Sequence, residues 1–370
     1  MLIKCLIDIQ IFFPIIFNNS LEEVKKMLEI NINSAKIGEG FNPFVIAEGC
    51  DNHMGSLTTA KEMCLRAKLA GADCIKFQHH LPEEEMLPDV PSSSNFQIPL
   101  YEFLKKYALS IEQHIELKEY CDSIGIIYLC TPFSYKAAFE LNRANIVDAF
   151  KIGSGEMTDI PSLIKIAQFG KPLIISTGMC TFEEIDRTYY ALKDTGVTFS
   201  LMSCVSEYPP IYEDISLGVI KKMKDRYPDI VIGHSDHTPD LFTSFAAVAL
   251  GARIIEKHVI IDKRVAGPDQ SVSIDFNELY ELCDGVKKIS LASGEEKSVK
   301  EKEKAIRLWA FRSVVSVKDI PKGAIISQEM VWSKRPGTGI PSYRMNEIVG
   351  KKATRDIKVN TLISFDDIEN

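Results

Sequence analysis

Residues 43–78 read PFVIAEGCDNHMGSLTTAKEMCLRAKLAGADCIKFQ. The stretch opens on a short apolar run, Pro43–Glu48. It continues through a segment of helical periodicity, Leu57–Ala70, which Gly71 ends as helix C-termini prefer. It closes on a second run, Asp73–Gln78. Neither run alternates polar with apolar residues, so both faces of each strand are expected to be covered, as in a parallel sheet. The same unit recurs along the chain. Further runs are Ile126–Cys130 (IIYLC), Ala149–Gly153 (AFKIG), Pro172–Ser176 (PLIIS), Phe199–Ser203 (FSLMS), Asp229–His234 (DIVIGH) and Arg253–His258 (RIIEKH). A helical segment over Thr181–Thr195 starts on the capping box TFEE and is followed by Gly196.

Eight strand–helix units over about 250 residues predict an α/β fold, a (β/α)8 TIM barrel. An open doubly wound sheet is the rival, but neither a G-x-G-x-x-G nor a P-loop fingerprint is present. The long gap at residues 79–109 holds PEEEMLPDVPSSSNFQIP. A polar insertion after a barrel strand is expected over the active face, as a lid. Residues 295–304 (EEKSVKEKEK) read as a solvated helix face or linker. Beyond Phe311 come strand-like runs (SVVSV, AIIS, VWSK) and turn pairs, with nine basic against seven acidic residues over 313–370. The expected organisation is an N-terminal extension at 1–35, a barrel at 36–294, a linker at 295–312 and a small β-rich domain at 313–370.

The composition excludes several classes. With 45% hydrophobic and 25% charged residues, the chain is neither disordered, collagen-like nor coiled-coil. A net charge of −8 argues against a nucleic-acid partner, because phosphate backbones demand a cationic surface. Nine scattered cysteines with no C-x-x-C pair read as thiols in a reducing compartment, hence a cytoplasmic protein. No run of about 18 apolar residues exists to span a membrane. IFFPIIF at 11–17 resembles a short signal core, but Asp8, Gln10 and Pro14 and the lack of a cleavage site argue against it. Ser20-Leu21-Glu22-Glu23 is a capping box that opens a short amphipathic segment, LEEVKKMLEI.

In a barrel the chemistry sits at the C-terminal ends of the strands. Nearly every run here delivers a polar group there. Glu48 leads into Asn52 and His53; Lys76 and Gln78 close the second run; Thr131 follows the third. Lys151 lies in the fourth, before Ser154-Gly155-Glu156, and Ser176-Thr177-Gly178 ends the fifth. Ser206-Glu207-Tyr208 follows the sixth, Ser235-Asp236-His237 the seventh, and Glu256-Lys257-His258 closes the eighth.

His237 and His258 come from adjacent strands and are placed to share a metal; a hydrogen-bonded core histidine is the alternative. His79, His80 and His114 read as ordinary loop or helix-surface residues. Lys76 and Lys151 sit inside apolar strands, where a lysine asks for an anion. That anion is a substrate, or a structural partner such as Glu48 or Glu156; a Schiff-base lysine is a further reading. Ser154-Gly155 and Ser176-Thr177-Gly178 are turns able to cradle phosphate or carboxylate. Together with the lysines they suggest a small, doubly charged substrate. Glu48 and Glu156 are the candidate acid/base pair. Cys50, Cys130 and Cys204 lie near the rim without a matched base, which argues against a cysteine nucleophile.

The ordered motifs IAEGCDNHMGS, GADCIKFQ, TPFS, KIGSGEM, ISTGM, YPPIYED, GHSDHT, EKHV and GPD resemble the sialic acid synthase family, the phosphoenolpyruvate-dependent nonulosonate synthases. The tail motif KRPGTGI resembles that family's antifreeze-like (SAF) domain. The resemblance runs from Asn42 to the C-terminus. It implies condensation of phosphoenolpyruvate with an open-chain N-acylated mannosamine-type sugar, giving a nine-carbon sialic acid and phosphate, as in N-acetylneuraminate synthases. By the same resemblance His237 and His258 hold a divalent metal, Mn2+ or Mg2+, and Lys76, Thr131, Lys151, Ser154, Ser176 and Ser235 hold phosphoenolpyruvate. Glu156 guides the water that attacks C2, and Glu48 positions the sugar or a proton. Tyr208 and Asp269 match sugar-contacting positions. Arg335 matches an SAF-domain arginine that reaches the N-acyl group across a domain-swapped homodimer.

The first motif departs from the family's more frequent AEIGxNH: Gly49-Cys50-Asp51 replaces its middle. SEYP at 206–209 is similar to legionaminate-type synthases, so a 2,4-diacetamido-2,4,6-trideoxymannose acceptor is the alternative and Ser206 a candidate for the choice. A metal-dependent hydrolase barrel would favour a His-x-His pair on the first strand, which is lacking. A non-catalytic carbohydrate or ice binder would predict loss of Lys76, Lys151 or the rim histidines, and all are present.

Overall fold

The computed structural model describes residues 28–91 and 98–369. It divides into two compact units, the first ending at Gly294 and the second beginning at Glu295.

The first unit is a closed barrel. A hairpin of β1 (Glu29–Ile32) and β2 (Ala35–Gly38) precedes it. The barrel strands are β3 (Phe44–Glu48), β4 (Cys74–His79), β5 (Ile127–Pro132), β6 (Phe150–Ile152), β7 (Leu173–Ser176), β8 (Phe199–Cys204), β9 (Val231–Asp236) and β10 (Ile254–His258). They pair in parallel in chain order, and β10 closes on β3. All eight expected runs are strands, and closure excludes the open sheet. The helix Leu57–Ala70 starts where the Ser56 side chain accepts from the Thr59 amide and stops at Gly71, whose φ of 86° suits glycine. The helix Phe182–Lys193 carries the expected Thr181–Glu184 capping box. No helix among the described residues is long and apolar enough to cross a membrane.

Alternate strand residues serve two cores. Val45, Ala47, Ile75, Phe77, Ile175 and Leu201 join the core shared with the helices. Phe44, Ile46, Cys74, Leu129, Ala149, Ile174, Met202, Val231 and Ile254 form a separate apolar cluster with Ile30, Ile32 and Ile37 of the hairpin. The hairpin therefore seals the N-terminal end of the barrel. Its three isoleucines are fully buried, each worth roughly 1.5–3 kcal/mol on transfer from water. The helical segment expected at LEEVKKMLEI lies largely outside the described residues, but its last two residues, Glu29 and Ile30, are strand. The alternation of Ile30 and Ile32 and the turn at Asn33 (φ 52°) favour the hairpin once the barrel offers an apolar floor.

In the second unit, β11 (Ser313–Ser316) pairs antiparallel with β12 (Val331–Lys334), matching the runs SVVSV and VWSK. The AIIS run contributes only an isolated bridge, Ile325 to Lys352. Val314, Ile320, Ile326, Val331, Ile348, Ile357 and Ile363 form its core. Residues Glu301–Ala310 are a helix with no buried side chain.

Candidate active site

Two residues beyond the apolar floor, the same strand faces turn polar. Ile46 gives way to Glu48, Cys74 to Lys76, Leu129 to Thr131, Ala149 to Lys151, Ile174 to Ser176, and Ile254 to Glu256. The period-two pleat puts each pair on one face. These polar residues line a cavity of about 410 Å³. Ser154, Glu156, Ser206, Tyr208, Ser235, His237, His258 and Asp269 line it too. Thirteen of the fourteen residues singled out from the sequence thus meet in one space. The exception is Arg335, in the second unit. It is exposed, donates through Nε to the Ala310 carbonyl at 3.1 Å and lies over the Trp309 ring. The insertion at 79–109 supplies Glu85, Met86, Leu100 and Leu104 to the wall.

The cavity floor is an ionic network. Lys76 pairs with Glu48, donates to Thr131 Oγ1 at 2.9 Å, and lies 3.6 Å from Glu256. Lys151 donates to Ser176 Oγ at 2.7 Å and lies 3.5 Å from Glu256. Glu256 also accepts from Ser235 Oγ at 3.0 Å. All four charged groups are at most 3% exposed. Burial opposes the Lys76 charge, but Glu256 and Glu48 outweigh it and raise its pKa. Burial lowers that of Lys151, with partial relief from Glu256. Glu48 is raised by burial against the pull of Lys76, whereas at Glu256 the two lysines overcome burial and lower it. Next to this floor, the Gly178 amide donates to Ser154 Oγ at 3.0 Å. A Cβ at residue 178 would collide with Ser206 Oγ and Ser154 Oγ, so glycine lets the two hydroxyls converge there.

Glu156 differs from Glu48. Glu48 accepts from Gln78 on Oε1 at 3.0 Å and is ion-paired with Lys76 through Oε2, whereas no ion pair reaches Glu156 among the described residues. The buried Oε2 of Glu156 has no hydrogen-bond partner. Burial pushes its pKa up to about 7. A carboxyl poised there exchanges protons readily at neutral pH.

The two rim histidines lie with ring centroids 5.2 Å apart. His237 Nδ1 is bound to the Val205 carbonyl at 2.7 Å, which assigns its proton to Nδ1 and leaves Nε2 as the lone-pair nitrogen, 3.2 Å from the Tyr208 hydroxyl. His258 Nδ1 is buried without a partner. Burial depresses both, His237 to about 4 and His258 well below the ordinary value. The neutral imidazole is the form of histidine able to bind a metal. Donor atoms of Cys50, His258 and Asp269 all lie within 4.8 Å of one another. The orphaned nitrogen and this donor set fit a divalent cation.

The sequence places Glu256 at the rim, two residues before His258, but assigns it no role; the structure sets it beside both lysines. His80 is buried, not a surface residue. Its two nitrogens meet Glu85 and Gln78, each at 3.0 Å, and its ring stacks on Phe133. With both nitrogens facing acceptors, Glu85 and Asp51 overcome burial and raise its pKa. His79 and His114 are buried as well, each engaged through one ring nitrogen, by Glu140 and by the Tyr128 hydroxyl. Nothing in the local sequence separates such histidines from exposed ones. Lys257, beside Glu256, faces away from the cavity and pairs with Asp236 at 3.0 Å.

Residues 63–298 match the NeuB family, and residues 311–369 match the SAF domain. The chain belongs to the NeuB family. It is 36% identical over 331 residues to the N,N'-diacetyllegionaminic acid synthase of Campylobacter jejuni, covering 86% of this chain and 98% of that protein. It is 34% identical over 336 residues to the pseudaminic acid synthase of the same species, covering 88% and 96%. Among solved structures it resembles the N-acetylneuraminic acid (sialic acid) synthetase of Leptospira borgpetersenii in complex with citrate. That match has a TM-score of 0.70 and 30% identity, covering 75% of this chain and 94% of that one. These relatives are legionaminic acid, pseudaminic acid and, in Homo sapiens, N-acetylneuraminate-9-phosphate synthases, and this chain is an enzyme of the C–C bond-forming synthase class.

Proposed function

We propose that this NeuB-family enzyme condenses phosphoenolpyruvate with an N-acylated mannosamine-type sugar, giving a nine-carbon 2-keto acid and phosphate. The observation that carries this reading is the pairing of two buried lysines with the hydroxyls of Thr131 and Ser176 in the cavity. Lys76, Lys151, Thr131, Ser154, Ser176 and Ser235 bind the phosphate and carboxylate of phosphoenolpyruvate. Such a trianion offsets the cost of keeping two ammonium groups out of water. Glu48, held by Gln78 and Lys76, positions Lys76 and the sugar. Glu156, with a free carboxylate oxygen and a pKa near 7, takes the proton of the water that adds to C2. C3 of phosphoenolpyruvate bonds to the aldehyde carbon, whose oxygen takes up a proton and becomes a hydroxyl. The hydroxide left when Glu156 takes the proton of water adds at C2; the new C2 hydroxyl gives up its proton as the C2 carbonyl forms, and the C2–O bond breaks with its electron pair leaving on phosphate.

A divalent metal, Mn2+ or Mg2+ on the sequence resemblance, supplies Lewis acidity toward the sugar aldehyde when bound. His237 and His258 are its proposed ligands. Tyr208 and Asp269 contact the sugar, and Ser206 takes part in the choice of acceptor. The proposal extends to a homodimer with Arg335 as its contribution to N-acyl recognition; light scattering and the turnover of Arg335→Ala test both.

N-acetylmannosamine is the first acceptor and N-acetylneuraminate the first product. The SEYP motif and the 36% identity to a legionaminic acid synthase favour 2,4-diacetamido-2,4,6-trideoxymannose as the second reading. Phosphate release from phosphoenolpyruvate with Mn2+ is measured with each sugar separately, with chelator controls. Release with one sugar alone assigns the acceptor. Release with neither overturns the proposal.

A further inference from the structure

The thiol at the cavity rim has no duty in the condensation described above. Cys50 follows the C-terminal end of β3 and is fully buried. Its backbone φ is 39°, in the left-handed region that cysteine rarely occupies. A residue held there against its preference points to a use for its side chain. That side chain meets two others. A ring nitrogen of His258, at the end of β10, and a carboxylate oxygen of Asp269, in the following loop, lie with its Sγ inside a 4.8 Å cluster. His258 is 5% exposed, and its Nδ1 has no partner.

We infer that Cys50 is a ligand of the divalent metal, together with His258 and Asp269, and that the centre takes a thiolate-accepting metal such as Zn2+, Co2+ or Fe2+ in preference to Mg2+ or Mn2+. The chemistry of the donor set carries this. Mg2+ wants oxygen ligands in near-ideal octahedral geometry. A sulfur, a nitrogen and a carboxylate oxygen suit the later first-row dications, and thiolate most strongly selects the softer ones. Binding releases the thiol proton to solvent and forms the metal–sulfur bond, with no change in oxidation state. Asp269 then serves the metal as well as the sugar. His237, with Nε2 as its lone-pair nitrogen, completes the set by exchanging its contact with Tyr208. The inference rests on the proposed metal-dependent reading of the cavity but is read out without substrate.

Chelator-stripped enzyme is titrated with Co2+ under reducing, anaerobic conditions, and absorption is recorded without phosphoenolpyruvate or sugar. The expected result is an intense thiolate-to-cobalt band in the near ultraviolet. It should disappear in Cys50→Gly, a substitution that suits the local φ, and in Cys50→Ser, with thermal unfolding confirming that each variant is folded. Co2+ and Zn2+ affinity should fall at least about tenfold in both variants, since even indirect supports of a site matter that much. Mn2+ affinity should change less. A wild-type spectrum lacking the band, equal Zn2+ affinity in wild type and Cys50→Gly, or no Co2+ uptake would each overturn the inference. Because phosphate release is assayed separately, the thiolate band survives a failure of the proposed reaction, and the reaction survives a missing band.

Discussion

The two ends of one barrel lumen follow opposite rules. At the N-terminal end, Ile30, Ile32 and Ile37 of the hairpin pack against Ile46, Leu129, Ile174 and Ile254 with no charged group among them. One pleat further along the same strands, Lys76, Lys151, Glu48 and Glu256 are buried together. The floor stabilises the fold through apolar burial. The rim works against stability, because desolvated charges rarely recover their hydration cost from pairing. A folded chain tolerates the rim because the floor and the helical shell hold the strands in place. The lesson is that the strand positions contributing least to stability are the ones that line the cavity, where the proposed anionic substrate would replace lost hydration.

Breaking the rim network should have the largest effect. Lys76→Met leaves Glu48 and Glu256 buried without their shared cation, so stability in urea unfolding is expected to fall by about 3–5 kcal/mol. Phosphate release from phosphoenolpyruvate should vanish with it. Adding Glu48→Gln to that variant should restore part of the stability but none of the turnover. Recovery of turnover would place the anion site elsewhere.

The floor should respond in stability alone. Ile37→Ala removes a fully buried side chain from the sealed end, at an expected cost of about 2–5 kcal/mol. Turnover per folded molecule at low temperature should stay at the wild-type level. A variant that loses turnover while folded would show the two ends to be coupled.

Glu156 sharpens the contrast through pH. Its carboxyl is raised from 4.5 to about 7 by burial. The native state therefore binds this proton more tightly than the unfolded chain does. Stability from this group is fully present below about pH 4.5 and declines as pH rises toward 7. Above that range the ionised group costs up to about 3 kcal/mol. Glu156→Gln should thus be more stable than wild type at pH 8, indistinguishable at pH 4, and inactive at both. Differential unfolding across pH, with phosphate release in parallel, checks both halves. An active Glu156→Gln enzyme removes the carboxylate from the reaction.

The smallest effect belongs to the helical shell. Ser110 caps the helix Ile111–Ile124 through a capping box with Gln113. Ser110→Ala should cost about 1 kcal/mol. Thermal unfolding should register it, and the steady-state rate should not.

Sequence alone determined the eight strands, because each is a short apolar run bounded by helix starts and stops that are local in the chain. It also determined which residues stand at the rim. A pleat of period two and a parallel sheet oblige Glu48, Lys76, Thr131, Lys151, Ser176 and Ser235 to reach the same end once the strands are found. Closure of the barrel, the burial of His80 and the sealing hairpin were decided only in three dimensions. His80 reads as a loop residue until Glu85, Gln78 and Phe133 are brought around it. The hairpin reads as a helix end until an apolar floor rewards alternation over helical propensity. Cys50 shows the same limit. A lone thiol beside a strand end carries no message in sequence, and only the fold brings His258 and Asp269, more than two hundred residues away, to its sulfur. Local propensity and periodicity act within a few residues and are legible in one dimension. Burial and charge pairing depend on which distant segments meet, and tertiary structure alone decides that.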